Sequence, residues 1–150
     1  MASIEEEIKQ QRFRDCYQKV AINLLFTASW LQGRQQDFFK TFGITLQQFN
    51  ILRILRGQHP NRISGVEIKG RMLDRNSDIS RLVDRLLKKN LISKHLRPGD
   101  KRATDVAITE PGLALLSKID QDLEAREKEM FGLTEEECTL LSELLDKSRG

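Results

Sequence analysis

The side chains best suited to surface chemistry in this sequence are cations, hydroxyls and short carboxylates gathered between Arg75 and Arg102. From Asn76 to Asn90 the chain reads NSDISRLVDRLLKKN, in which Ile79, Leu82, Val83, Leu86 and Leu87 recur at the intervals of one buried helix stripe. The opposite face then carries Ser77, Arg81, Asp84 and Lys88, flanked by Asp78, Ser80 and Arg85. Further on, Pro98-Gly99-Asp100-Lys101-Arg102 makes a charged tip. Guanidinium and ammonium groups neutralise phosphates, and Arg, Asn and Ser match the donor and acceptor pattern of base edges in a DNA groove. A helix of about 14 residues is ~20 Å long, enough to lie across a major groove. The candidate contacts to double-stranded DNA are therefore Arg75, Asn76, Ser77, Asp78, Ser80, Arg81, Arg85, Lys88, Asp100, Lys101 and Arg102. Asp84, three residues after Arg81 and four before Lys88, is expected to pair within its own helix. Asp100 shares a strand face with Arg102 and is expected to hold its guanidinium in place.

These groups need a scaffold. From Ile4 to about Phe42 no proline interrupts the chain, and Phe13, Tyr17, Val20, Leu24 and Leu31 recur near a 3.5-residue period. This predicts a long helix with a coiled-coil-like seam and a place for a kink at Gly33. Thr45 is a predicted N-cap for LQQFNILRILRGQ. Ser64 with Glu67 forms a predicted capping box before GVEIKGRML, and a turn at Asp74-Arg75-Asn76 leads into the basic-faced helix, capped by Asn76 or a close neighbour. Asn90 tolerates the left-handed conformation that ends a helix. Leu91 to Arg97 and Thr104 to Thr109 then alternate as two strands, with Val106 and Ile108 inward. Pro111 suits the first turn of a further helix through GLALLSKIDQDLEAREKEMF, and Thr134 caps a last one carrying Cys138, Leu140, Leu141, Leu144 and Leu145.

The net charge of +3 conceals an asymmetry. Residues 62–102 hold 12 Lys/Arg against 5 Asp/Glu, whereas residues 103–150 hold 5 against 12. A field so concentrated draws a polyanion and makes its binding salt-dependent. Cys16 and Cys138 are too few and too far apart for a disulfide scaffold, are read as small buried hydrophobes, and make no metal-ligand spacing with His59 and His95. His59 falls in a loop and His95 on a strand, both read as structural or exposed. No apolar run approaches a membrane span, and the start lacks the apolar core of a signal peptide, so the expected place is the cytoplasm. With no Gly-rich phosphate loop, paired metal motif or nucleophile with a spaced base, the reading is not an enzyme and requires no cofactor.

The run LDRNSDISRLVDRLLKKNLISKHLRPGDKRATDVAITEPGLALL, preceded by ITLQQFNILRIL, resembles the MarR family of bacterial winged-helix transcription regulators. The likeness is close over residues 44 to 120, and its most specific parts are SRLVDRL and Asp100-Lys101-Arg102 followed by VAIT. It implies a homodimer, built by the N- and C-terminal helices, on a pseudo-palindromic operator, often released by a small phenolic or other ligand or by oxidation. It also implies that Ser77, Ser80 and Arg81 face the major groove while Arg102, oriented by Asp100, enters the minor groove. Phe26, Trp30 and Phe49 lie in or beside the helices that flank the family's ligand cavity. Asn90 replaces a usual glycine and Pro111 a usual polar residue. Ile22 stands where peroxide-sensing members keep a reactive cysteine before an Ala-Ser pair, here Ala28-Ser29.

The resulting expectation is a mainly α chain with a small β-hairpin wing, of class α+β. Residues 1–150 form a single domain, with a winged helix-turn-helix over 44–109 and a helical dimerisation part over 4–42 and 110–147. Ile4, Ile8, Phe13, Leu133, Leu140, Leu141 and Leu144 are the candidate dimer contacts. The expected function is a sequence-specific DNA-binding regulator, a repressor acting as a homodimer and released by a small aromatic or apolar effector. The alternatives are a winged-helix protein dock that never reads DNA, and a thiol-based redox-sensing regulator.

Overall fold

A computed structural model describes residues 1–150, the side chain of Lys101 excepted. The expected contact of Lys101 with DNA lies outside the described side chains. The basic-faced segment forms helix α5, Ile79–Lys88. Its stripe packs as the periodicity requires: Val83 and Leu86 are buried, and Ile79, Leu82 and Leu87 are packed against the core. The helix starts later than Asn76. Asp78 is its N-cap, accepting the backbone N–H of Arg81 at 3.2 Å. Asn76 is used in the preceding turn, where its N–H donates to Asp74 Oδ1 at 2.9 Å and the Ser77 hydroxyl donates to the Asp74 carbonyl. At the other end Asn90 takes the left-handed conformation, φ 58°, and the amides of Asn90 and Leu91 close on the carbonyls of Leu87 and Leu86. That is the Schellman pattern, with an Asn standing where glycine is common.

Before α5 come α3, Leu46–Gln58, and α4, Gly65–Arg71. Thr45 caps α3 through a complete capping box with Gln48. Ser64 caps α4 by accepting the N–H of Glu67 at 3.2 Å, but the return bond expected from the Glu67 carboxylate is absent among the described residues. Ser64 is also the last residue of a strand, β1, Ile63–Ser64, and its backbone is committed opposite Asp105. β2, Ile92–Arg97, and β3, Asp100–Ile108, complete an antiparallel sheet of order β1-β3-β2. The hairpin is tighter than its sequence suggests. β3 begins at Asp100, opposite Arg97, so only Pro98-Gly99 turns the chain, with Gly99 at φ 83°.

The N-terminal helix is not continuous. α1, Ile4–Glu7, closes on its own capping box between Ser3 and Glu6, Lys9 turns left-handed at φ 55°, and α2 starts afresh at Cys16. The polar run Gln10-Gln11-Arg12 offers no apolar side chain to continue the seam, and Asp15 supplies a new cap by accepting the N–H of Gln18 at 2.8 Å. An ion pair of Lys19 with Glu5, 2.5 Å, folds α1 back against α2. From there α2 runs through Gly33 to Lys40.

α6, Glu110–Phe131, is capped by Thr109, whose hydroxyl donates to the Asn90 carbonyl at 2.8 Å and accepts the N–H of Gly112. The end of the α5 turn is thereby stitched to the start of α6. Left-handed Gly132 ends α6, and α7, Glu135–Ser148, follows with the expected capping box at Thr134. The core gathers Phe39 from α2, Ile51, Leu52 and Leu55 from α3, Ile68 from α4, Leu86 from α5, Val106 and Ile108 from β3, and Leu116 and Ile119 from α6. Arg56 clamps Asp120 across α3 and α6 at 2.6 Å. α7 buries no residue.

Candidate nucleic-acid interface

The start of α4, the start of α5 and the wing enclose an open cavity of about 730 Å³. The structure brings Ser77, Asp78, Ser80 and Arg102 together there, and adds Ser64, which the sequence marks only as a helix cap, with Val66, Lys69, Arg97 and Thr104. Lys69 and Arg97 lie inside the basic block, so the charge count held a signal for them. Ser64, Val66 and Thr104 carry none, because only the pairing of β1 with β3 and the packing of α4 on α5 bring them there. Arg97 is fixed by Asp105, Nη2 to Oδ1 2.8 Å, and that hydrogen bond, with the carboxylate's charge, holds the guanidinium pKa above its ordinary value. It is a permanently charged, pre-oriented donor whose fork is paired only with Asp105 among the described residues.

Two expected partnerships differ in the structure. Asp100 holds Arg102 by its backbone N–H, 2.9 Å, and makes no ion pair with its guanidinium among the described residues. A two-residue turn brings the carboxylate over the amide two positions on, as in an Asx turn, and leaves the Arg102 side chain in solvent. Arg81 pairs through Nε with Asp78 at 3.3 Å and not with Asp84, which has no ion pair among the described residues. Asp78, at the cap, reaches across one turn first. Its carboxylate serves the helix start, so its place in a DNA contact is secondary. Arg85 and Lys88 are exposed in the last turn of α5, where the helix dipole favours cations. Arg75 and Asn76 open onto a different cavity, on the side of the turn that faces α2 and α3.

Residues 44–104 match the MarR family model. Over 108 residues the chain is 32% identical to the HTH-type transcriptional regulator MhqR of Bacillus subtilis, covering 70% of this chain and 72% of that one. The chain belongs to the MarR family. Among solved structures, a MarR-like transcription regulator from Bacillus cereus superposes with a TM-score of 0.77 at 22% identity, over 87% of this chain and 94% of the other. A mutant MarR from E. coli complexed with operator DNA superposes with a TM-score of 0.71 at 24% identity, over 98% and 99%. The winged-helix fold is thus common to this chain and those MarR proteins.

Outside its winged helix, this MarR chain presents apolar surface on α2 and α7. Tyr17, Val20, Leu24 and Leu25 are exposed on α2, and Leu133, Leu140, Leu141 and Leu144 near or on α7. Ile4 is already covered by its own chain at 6% exposure, which leaves it little to offer a partner; Ile8 and Phe13 are half-buried. Of the aromatic residues flagged as ligand contacts, Phe49 is a core residue stacked on Phe39 at 4.2 Å between ring centroids. Trp30 sits edge-on to Phe131, 6.5 Å, under Arg34, and Phe26 is half-buried on α2. Cys16 and Cys138 are both exposed, against expectation, because the segments that carry them contribute little to the core. No described helix is long and apolar enough to cross a membrane.

Proposed function

We propose that this protein is a transcriptional regulator that binds double-stranded DNA as a homodimer, represses from a near-palindromic operator, and is released by a small ligand. The observation that carries it is the joining of the α5 start and the wing around one cationic, hydroxyl-lined cavity. Phosphates are held by such groups and bases are read by the side chains beside them. α5 enters the major groove with Ser77, Ser80 and Arg81, assisted by Arg75, Asn76, Arg85 and Lys88, and Arg102 reaches the minor groove. Residues 44–109 meet DNA; α1, α2, α6 and α7, within 4–42 and 110–147, pair the subunits. Membership of a family in which an E. coli MarR is solved with operator DNA supports this.

The test is titration of the chain against duplexes enriched from a random library, at two salt concentrations. Tight binding with a steep negative salt slope is expected. No binding to any duplex at low salt overturns the reading in favour of a winged helix that docks proteins. The exposure of both thiols favours a second reading of the release step, by oxidation. Peroxide would then lower operator affinity while phenolic ligands do not, and Cys16→Ser would abolish the response.

A further inference from the structure

Val66, on α4, is 84% exposed, and it lines the same open cavity as Ser77 and Ser80 of the α5 start and Arg102 of the wing. Ile68 stands about 200° further around the same helix and is fully buried in the core, so Val66 lies on the outer side of α4. Lys69, three residues after Val66, shares that side and lines the same cavity. The two helices meet closely here, since a Cβ built on Gly65 would lie 3.8 Å from the Ile79 side chain. Ile79 and Ala103 also reach the cavity, but both are half-buried, and Ile79 is packed against the core. Among the described residues that line it, Val66 is therefore the apolar side chain left open. A single exposed apolar residue is ordinary on a protein surface. This one is set apart by its place, between a cation and the hydroxyl face of α5.

We propose that Val66 reads the 5-methyl group of a thymine in the major groove, and so fixes one T·A pair in each half of the operator. A thymine presents two groups on that edge, the O4 acceptor and the C5-methyl, and an apolar side chain can meet only the second. The γ-methyls of a valine are stiff at χ1, so little rotamer freedom is lost when they pack on the base. Lys69, one turn further along the same side, is suited to the neighbouring phosphate. The proposal rests on the DNA reading and adds a base identity to it. Its contact comes from α4, where the DNA reading places contacts on α5 and the wing.

The probe is the operator enriched from the random library, with each thymine replaced in turn by deoxyuridine, which keeps every hydrogen-bonding group and lacks only the methyl. Wild type should lose affinity about fourfold at one thymine of each half-site. Val66→Ala changes an exposed position and leaves the core alone. It should bind the thymine operator more weakly by a similar factor, and should no longer distinguish thymine from deoxyuridine at that position. The two losses are then one loss, as a double-mutant cycle requires of a direct contact. If no thymine shows a deoxyuridine penalty, the proposal is overturned. It is overturned equally if Val66→Ala keeps the wild-type penalty at every thymine, because the methyl contact then belongs to another side chain. In both cases the operator is still bound and the DNA reading stands. Failure to bind any duplex at low salt is a different result, which removes the DNA reading and this one with it.

Discussion

Arg81 and Arg102 should fail differently when removed, because they are held differently. Arg81 stands on a helix whose orientation is set by buried Val83 and Leu86. Arg81→Ala should therefore cost ~1–3 kcal/mol per site on the operator and relax its sequence preference, with a smaller loss on scrambled duplex. Arg102 stands exposed on β3, just past the two-residue hairpin turn, where the minor groove offers chiefly negative potential. Arg102→Ala should weaken operator and scrambled duplex alike and flatten the salt slope by ~1. If both affinity and slope stay at wild-type values, the wing is no DNA contact. Asp100→Ala should act in the same direction and less, now for a backbone reason: it releases the amide of Arg102 and loosens the tip. The face of α5 was legible in its spacing. The partners were not, because Asp78, Asp84 and Asp100 are all in sequence reach of an arginine and only the start of the helix and the length of the turn decide among them.

The elements that position these side chains read well where one periodicity ran unbroken. α3 falls on the predicted LQQFNILRILRGQ. What escaped were features fixed by distant backbone: β1 is two residues long and exists only because β3 lies beside it, and α1 parts from α2 through short-range caps that a mean period passes over. The junction of α5, β2 and α6 provides a sharp test of packing. A Cβ placed on Gly112 would stand 2.3 Å from the Leu91 carbonyl oxygen and 2.7 Å from the Ile108 side chain. The first of these is backbone, so α6 must move. Gly112→Ala should destabilise the chain by roughly 1–3 kcal/mol despite its better helix propensity, read as a lower midpoint in urea. An unchanged midpoint would mean that α6 is free to slide. Asp78→Ala removes the α5 cap and should cost about 0.5–2 kcal/mol in the same assay. Its DNA affinity should fall less than its stability, since it also removes a negative charge from the interface.

At the scale of the whole molecule, the apolar residues left open on α2 and α7 point to a second copy of the chain. Sedimentation at micromolar concentration should give twice the 17.3 kDa of one chain. The paired α5 helices should lie ~34 Å apart, one turn of DNA. A clean monomer that still binds DNA tightly would sink this arrangement. α7 is well capped at its start yet has no fully buried residue, Leu145 being half-buried, so a second copy that covered Leu140, Leu141 and Leu144 should add to its stability. This has a consequence for dose. While single chains predominate, paired ones accumulate as the square of total protein, so a doubling of synthesis would raise occupancy of a DNA site by ~four-fold, and a halving would lower it as steeply. A helix with so much apolar surface left open would in this way make the response to the protein's abundance switch-like before any effector is bound.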